Sequence, residues 1–360
     1  MSAAPTPARV APCFDVPGTV RTVVPFGDGH VNLTTLATTN TGARFVLQRL
    51  NRASVAHPER AMANIVALTR HLAAKVGDPR RSLRLIPTRE GAWWHTDETG
   101  EVWRAYAFVE GSASPPSPLT PAAFRAVGRA FGEFLVQVDD LDPAGLHTTI
   151  PHFHDEPRYV ARLRAVIAAD PLGRAGQVRP EIEAALAYEA ISHDFDDPDL
   201  MPTRVTHNDA KVANLLVDEI TGEPLCVVDL DTVQAGYAVN DFGDAIRSGA
   251  TSAPEDEPDT ARVRFVPELF AAFTQGYLGA CGEVLTPAEI AHLRHGARAM
   301  TLETSLRFLT DYIEGDVFYR VERPGHNLDR ARNQLALLAD LSAHWDWMGH
   351  VIDEVAGTRP

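Results

Sequence analysis

The chain has almost no lysine. Of its 33 basic residues only Lys75 and Lys211 are lysines, and the rest are arginines. This excludes a lysine-rich polyelectrolyte surface, and it gives each of the two lysines something to explain. Cysteine is nearly as scarce: Cys13, Cys226 and Cys281 are scattered through 360 residues. They show neither the close pairs of a zinc site nor the even framework of a secreted disulfide scaffold, so free thiols are expected. No apolar run approaches the roughly 18 to 20 residues that span a bilayer, and the start, MSAAPTPARVAPCF, lacks the basic-then-apolar layout of a signal peptide. A soluble, cytoplasmic protein with no membrane partner is expected, as a monomer or weak dimer. Positive charge is also short: 48 acidic residues leave a formal net charge of −15. Such a field repels phosphate backbones and argues against a nucleic-acid partner. A nucleotide would face the same field, so local Arg, Lys or a divalent metal must overcome it.

What is present suffices for two domains, or one domain with two lobes, since 45% of the residues are hydrophobic. Residues 1–16, rich in Ala and Pro, read as a disordered arm. Short β-like runs follow at 22–24, 31–38 and 44–50, separated by Gly-Asp-Gly and Asn-Thr-Gly turns. PERAMANIVALTRHLAAKV has helical spacing, with Met62, Ile65, Val66 and Leu68 on one side, and strand candidates return at 83–87 and 101–110. GSASPPSPLTP (111–121) breaks regular structure and marks a boundary. Beyond it the pattern is helical over 122–138, 158–169, 180–191, 267–278, 287–313 and 328–355, interrupted by a β-like piece at 214–229. The expected fold class is α+β: a small N-terminal antiparallel sheet lobe with one helix (17–110), then a larger, mainly helical lobe (111–360).

The interruption carries the chemistry. RVTHNDAKVAN (204–214) packs an imidazole, a carboxylate, an ammonium and two amides into one stretch, and LLVD, a turn-prone EITGEP and LCVVDLD follow. An antiparallel hairpin centred on Thr221-Gly222 sets Asn214 opposite Asp229. Facing residues on such strands have Cα atoms about 4.5 to 5.5 Å apart, close enough to share one cation. An amide carbonyl and a carboxylate suit magnesium better than zinc. Asp209 lies just upstream. A carboxylate is a poor base toward a hydroxyl, but phosphoryl transfer requires mainly orientation, with late proton removal. Lys211 is placed to neutralise a phosphoryl oxygen, and His207 to orient the loop.

These residues form the pattern HxDxxxxN followed by an apolar strand ending in Asp, which resembles the catalytic loop and metal-binding aspartate of the aminoglycoside phosphotransferase and choline kinase superfamily. PFGDGHVNLTTLATT, FVLQRLN, THNDAKVANLLVD, VVDLDTV, DFGDAIRSGA, LRFLTDYIEGDVFY and HNLDRARNQ together are similar to the N-acetylhexosamine 1-kinases, bacterial enzymes that make sugar 1-phosphates from ATP. The resemblance spans about residues 20 to 340 and implies a bilobal protein-kinase-like fold. It further implies ATP and Mg2+ between the lobes, Asp209 as base, Asn214 and Asp229 as metal ligands, and Asp231 in the metal or substrate shell. The competing reading of Asp231 is a solvated strand-end carboxylate. In the same reading Gly27, Asp28 and Gly29 cover the phosphates and His30 faces the sugar, although alone they read as a hairpin turn. Phe108 and Val109 offer hinge backbone to adenine. Asp241 supports the catalytic loop, where a helix N-cap would serve equally, and Asp244 and Arg307 contact sugar hydroxyls. The competing role for Arg307 is a salt bridge with Asp311.

Two departures stand out. Gln48 occupies the position where protein kinases place a phosphate-binding lysine; it brings no charge, and Arg49 or Arg52 is the compensating candidate. Ser248 stands where an aromatic wall is expected. His152, His154 and Asp155 lack the spacing and partners of a metal site. Within the kinase class the acceptor could instead be an aminoglycoside, an amino alcohol or another sugar, a strongly acidic pocket favouring the cationic ones. A glycosyltransferase could use Asp229-Leu230-Asp231 as a DxD metal site, but that fold needs alternating strands and helices before an early DxD. A catalytically dead nucleotide-binding module has only Gln48 in its favour.

Overall fold

The computed structural model describes residues 6–27, 32–52, 57–197 and 199–358. Helix α1 (Pro7–Val10) opens the described chain, followed by strands β1 (Val20–Pro25), β2 (Leu33–Thr39) and β3 (Arg44–Arg49), helix α2 (Pro58–Lys75), and strands β4 (Leu85–Ile86), β5 (His95–Thr96) and β6 (Val102–Ala107). The strands form one antiparallel sheet in the order β1-β2-β3-β6-β4, with β5 also on β6. Met62, Ile65, Leu68 and Leu72 of α2 recur at helical spacing and pack with Leu50, Val102 and Tyr106 of the sheet side. The expected disordered arm is not one from Thr6 onward: Val10, Ala11, Phe14 and Val16 are buried against Phe45, Leu47 and Trp103. Its Ala- and Pro-rich composition concealed those apolar anchors.

The larger part contains β7 (Ser112–Ala113), α3 (Pro121–Val138), α4 (Glu156–Ala169), α5 (Arg179–Leu186), β8 (Arg204–Thr206), β9 (Leu215–Asp218), β10 (Pro224–Val227), β11 (Gln234–Gly236), α6 (Ala238–Gly249), α7 (Pro267–Cys281), α8 (Pro287–Glu314), α9 (His326–Ala343) and α10 (Trp345–Gly357). Helices α3 and α8 begin as their sequences dictate. Thr120 and Thr286 cap the amides of Ala123 and Glu289, and proline sits in the first turn of each. Glu289 closes a capping box on Thr286. The segment expected to lack regular structure contributes β7, which pairs with β9 and so clamps the connection between the two parts onto the catalytic hairpin. The single helix expected over 328–355 is two, broken at His344.

Helix α6 was absent from the expected helices, yet it anchors the site. It crosses α8 so closely that a Cβ on Gly243 would lie 2.2 Å from the Gly296 carbonyl oxygen, and one on Gly296 2.0 Å from that of Val239. Only hydrogen fits at this crossing, which brings Asp241 beneath the catalytic loop. One apolar cluster runs from α2 through Phe134 and Val138 of α3 to Val205, Leu225, Leu230 and Val233, so the sheet part and the catalytic hairpin share a core. Among the described residues Cys13, Cys226 and Cys281 form no disulfide. Among the described residues no helix is long and apolar enough to cross a membrane.

Candidate active site

The catalytic loop leaves β8 at Thr206 and is held by side chains from three directions. Asp241 accepts the backbone amides of His207 (2.8 Å) and Asn208 (2.7 Å). It lies in the first turn of α6, whose N-cap is Tyr237, so it supports the loop and is not a helix cap. His207 is fully buried between Phe131 and Phe134. Its Nε2 meets the Val228 carbonyl at 2.9 Å and must donate, while Nδ1 accepts the Asp209 amide at 3.3 Å. The ring is therefore neutral, and it orients the loop. Asn208 takes a left-handed φ of 61°, a conformation that Asn tolerates better than most residues. Its amide donates to the Thr232 carbonyl at 3.1 Å.

This frame presents Asp209 half-buried. Lys211 Nζ and Asn214 Nδ2 both donate to Oδ2 at 2.8 Å, and Nδ2 also reaches the Asp209 carbonyl oxygen at 2.8 Å. Both donors fall on Oδ2, and among the described residues none donates to Oδ1. Burial by itself would raise the Asp209 carboxyl, but the Lys211 ammonium outweighs it and the group is held well below the usual carboxylate range. Because the Asn214 amide nitrogen is spent on Asp209, its carbonyl oxygen faces away from that contact.

The hairpin register differs from expectation by one residue. Val227 pairs with Leu215, and the Val228 amide donates to the Asn214 carbonyl at 2.9 Å. Asn214 is thus opposite Val228: beside the turn Val217 faces Pro224 and Asp218 bonds Glu223, two positions from the expected centring, and the irregularity between Pro224 and Cys226 recovers one of them. Asp229 follows in a left-handed conformation, φ 63°. Burial, with the Asp231 and Asp209 carboxylates next in importance, pushes its carboxyl up to about 6. Among the described residues no group of three or more His, Cys, Asp or Glu is arranged to hold a metal.

Asp231 serves differently from the metal-shell expectation. Oδ1 accepts from Arg104 of β6, and Oδ2 accepts from Asn32 Nδ2 at 2.7 Å. It is 7% exposed, so the solvated alternative fails as well. Arg104 is 1% exposed, and its Nε donates to Gln48 Oε1 at 2.9 Å, directly across the β3–β6 ladder. Gln48 in turn donates to Thr34 at 3.1 Å. The buried cation of the sheet part is therefore Arg104, with Gln48 as its holder. Arg49 lies over Trp103 and Arg52 donates to the Gly100 carbonyl, both away from this network. A lone charge inside the apolar run VWRAYA was the available signal, since a buried charge requires a partner.

Gly27 ends the β1 side of its turn with φ 74°; Asp28, Gly29 and His30 lie outside the described residues. At the hinge, the Arg44 guanidinium sits 4.1 Å over the Phe108 ring, which also meets Phe26 edge-on at 5.8 Å. The Val109 carbonyl accepts the Ser112 hydroxyl at 2.7 Å.

Arg307 of α8 pairs backward with Glu303 at 3.2 Å rather than forward with Asp311. Its guanidinium lies 5.6 to 5.8 Å from the rings of Phe153, Tyr159 and Tyr319. Asp311 is committed elsewhere: it accepts the amides of Val317, Phe318 and Tyr319 and fixes the loop that carries Tyr319. Asp244 is gripped by Arg247 at 2.7 and 2.8 Å, and Arg247 also binds Glu255 at 2.5 Å. Ser248 accepts the Val212 amide at 3.3 Å and donates to the Ala245 carbonyl at 3.3 Å.

A sheet part joined to a larger helical part, with HxDxxxxN displayed between them, defines the class of phosphotransferases that move a phosphoryl group from ATP to a hydroxyl. The chain belongs to the phosphotransferase enzyme family, APH, which matches residues 22–284. Its fold is similar to that of an aminoglycoside phosphotransferase from Alicyclobacillus acidocaldarius (TM-score 0.62, 14% identity, covering 97% of this chain and 98% of that one). It is also similar to a microcompartment-associated aminopropanol kinase (0.59, 17%, 95% and 97%) and to the amicoumacin kinase hAmiN (0.59, 14%, 91% and 91%). At these identities the likeness concerns the fold.

Proposed function

We propose that the protein phosphorylates a neutral polyhydroxylated acceptor, the anomeric hydroxyl of an N-acetylhexosamine or a related sugar, with ATP and Mg2+. The observation that carries this reading is the state of the carboxylates around the acceptor side. Asp244 and Glu255 are bound to Arg247, and Glu303 is bound to Arg307 and His154. An ammonium acceptor such as an aminoglycoside or amino alcohol meets carboxylates already neutralised by fixed cations, whereas Arg307 with its ring of aromatic faces suits sugar hydroxyls and the apolar face of a pyranose.

The nucleotide is assigned to the cleft between residues 17–110 and 111–360, with Gly27 near the phosphates and the Phe108–Val109 backbone near adenine. A kinase of similar fold was solved with AMP-PNP and Ca2+, which supports a nucleotide and a divalent cation here. The Asn214 side-chain oxygen, Oδ1, and Asp229 supply hard oxygen donors beside a surplus of carboxylate charge, the donor chemistry that suits magnesium. Two protein oxygens are enough, since Mg2+ is usually completed by phosphate oxygens and water. When bound, the cation neutralises charge on the transferring phosphoryl group. Asp209 Oδ1 accepts the acceptor hydroxyl and aligns it. Its depressed pKa makes it a weak base, which is adequate when the proton leaves late along a loose transition state. Lys211 retains further N–H donors for a phosphoryl oxygen.

The test is ADP release over a panel of N-acetylhexosamines, plain hexoses, aminoglycosides and amino alcohols, with Asp209→Asn as control. The reading expects release with neutral sugars, lost in the variant. Release only with cationic acceptors would overturn it.

A further inference from the structure

His154 has no part in the sequence reading beyond exclusion as a metal ligand, yet it is buried directly behind the catalytic loop, its side chain 8% exposed. It adopts a left-handed φ of 58° and stacks on Phe153 at 4.1 Å. Nε2 lies 3.0 Å from the backbone carbonyl of Asn208, and Nδ1 lies 2.8 Å from Glu303 Oε2. A carbonyl oxygen only accepts. The Glu303 carboxylate also only accepts, because its other oxygen receives the permanently charged Arg307 guanidinium at 3.2 Å, which favours the ionised form. Both ring nitrogens must therefore carry protons.

We propose that His154 is a positioning residue, held as an imidazolium, that ties the backbone immediately before Asp209 to the acceptor arginine through the chain Asn208–His154–Glu303–Arg307. The inference deepens the kinase reading above and rests on it. Asp241 fixes the amide side of the Asn208 turn, and His154 fixes its carbonyl side, so an acceptor that engages Arg307 tightens the chain that sets Asp209. Other charged groups face the ring. Glu156 from α4 is buried, with Oε1 unpartnered, and burial followed by the Glu303 charge pushes its carboxyl up to about 8. Asp241 contributes from α6. Glu303 and Arg307 contribute from α8.

The experiment is a double-mutant cycle on the full chain with His154→Gln, Glu303→Gln and both together, read as kcat and KM for acceptor and nucleotide separately. Histidine-selective 15N NMR of the wild type accompanies it. In the double variant a neutral chain can re-form: Gln donates to the Asn208 carbonyl and accepts from the second Gln, whose carbonyl oxygen receives Arg307. The expected result is an acceptor kcat/KM lowered about 10- to 100-fold in each single variant, the scale typical of orienting partners. Nucleotide KM stays within about 2-fold. The double variant is more active than the product of the singles predicts, and the His154 ring nitrogens show imidazolium shifts at pH 7. Strictly additive losses, equal losses for nucleotide and acceptor, or a neutral His154 ring would overturn the inference. Failure of the kinase reading is distinguishable, because then the wild type itself shows no Asp209-dependent ADP release. Should His154→Gln not fold, the NMR measurement on the wild type still decides.

Discussion

Asp229 and Asp231 are separated by one residue and have opposite structural standing, which a pair of substitutions exposes. Asp231→Ala removes the carboxylate hydrogen-bonded to Arg104, a guanidinium 1% exposed and also held by the neutral Gln48. Breaking a buried pair from one side costs about 3 to 5 kcal/mol, because the remaining charge has no compensation. Loss of the Asn32 contact adds about 1 kcal/mol. Replacing both partners together, as in Arg104→Met with Asp231→Leu, restores most of that loss, since the buried charge goes with its partner. Asp229→Asn behaves in the opposite way. Burial and the neighbouring carboxylates of Asp231 and Asp209 disfavour its charged form, so neutralising it leaves stability equal or higher while turnover is lost. Urea unfolding followed by tryptophan fluorescence and circular dichroism measures the first quantity, and ADP release against Mg2+ concentration measures the second. The folded fraction of Asp231→Ala keeps the wild-type Mg2+ dependence. The reasoning is refuted if Asp231→Ala loses less than about 1 kcal/mol and instead needs more Mg2+, for then the carboxylate was serving a cation rather than Arg104.

Further outcomes follow from other contacts. Asp209→Asn lowers kcat about 100- to 10,000-fold, in the range for removal of a positioned proton acceptor, and leaves the KM for ATP nearly unchanged in steady-state kinetics. Gly296→Ala, whose Cβ would meet the Val239 carbonyl oxygen at 2.0 Å, destabilises by about 1 to 3 kcal/mol through forced separation of α6 and α8. It also lowers kcat in its folded fraction, since α6 carries Asp241. His154 gives a pH signature. Burial alone would lower its pKa, but the Glu303 charge prevails and pushes it up to about 9, against about 6.5 in an unfolded chain. The folded state thus holds the proton more tightly, so the contribution is complete below about pH 6.5 and fades as pH rises through about 9. In a Glu156→Gln background, which removes the other nearby group titrating in this window, the stability gap between His154 and His154→Gln narrows over that range in urea titrations.

Much of this was legible in the residue order because the chemistry is local. His207, Asp209, Lys211 and Asn214 fall within eight positions, and their spacing fixed the loop before any coordinates. The antiparallel sheet with its helix was equally readable, since Gly-Asp-Gly and Asn-Thr-Gly turns set off short β-like runs and Met62, Ile65 and Leu68 recur at helical spacing. What escaped depended on long-range pairing. Arg104 meets Asp231 across 127 positions, and His154 meets Glu303 across 149. Neither distance leaves a spacing pattern. The one-residue register slip that placed Val228 opposite Asn214 came from a turn centred earlier than Thr221-Gly222, half offset by an irregularity in the hairpin ladder, and a count from an assumed turn centre contains neither. Helix α6 does carry a helical period, with Asn240, Asp241, Asp244 and Arg247 on one side and Val239, Phe242 and Ile246 on the other, but both of its faces are buried, and its polar side reads as loop chemistry.

The central claim is that Asp209 Oδ1 receives the acceptor hydroxyl while Asn214 Oδ1 and Asp229 share the cation. A crystal structure with a non-hydrolysable ATP analogue, Mg2+ and an N-acetylhexosamine tests it most directly. The account predicts the anomeric oxygen within about 3 Å of Asp209 Oδ1 and the metal on Asn214 and Asp229, with Asp231 still on Arg104. A metal bound through Asp231, or an acceptor hydroxyl turned away from Asp209, would contradict it.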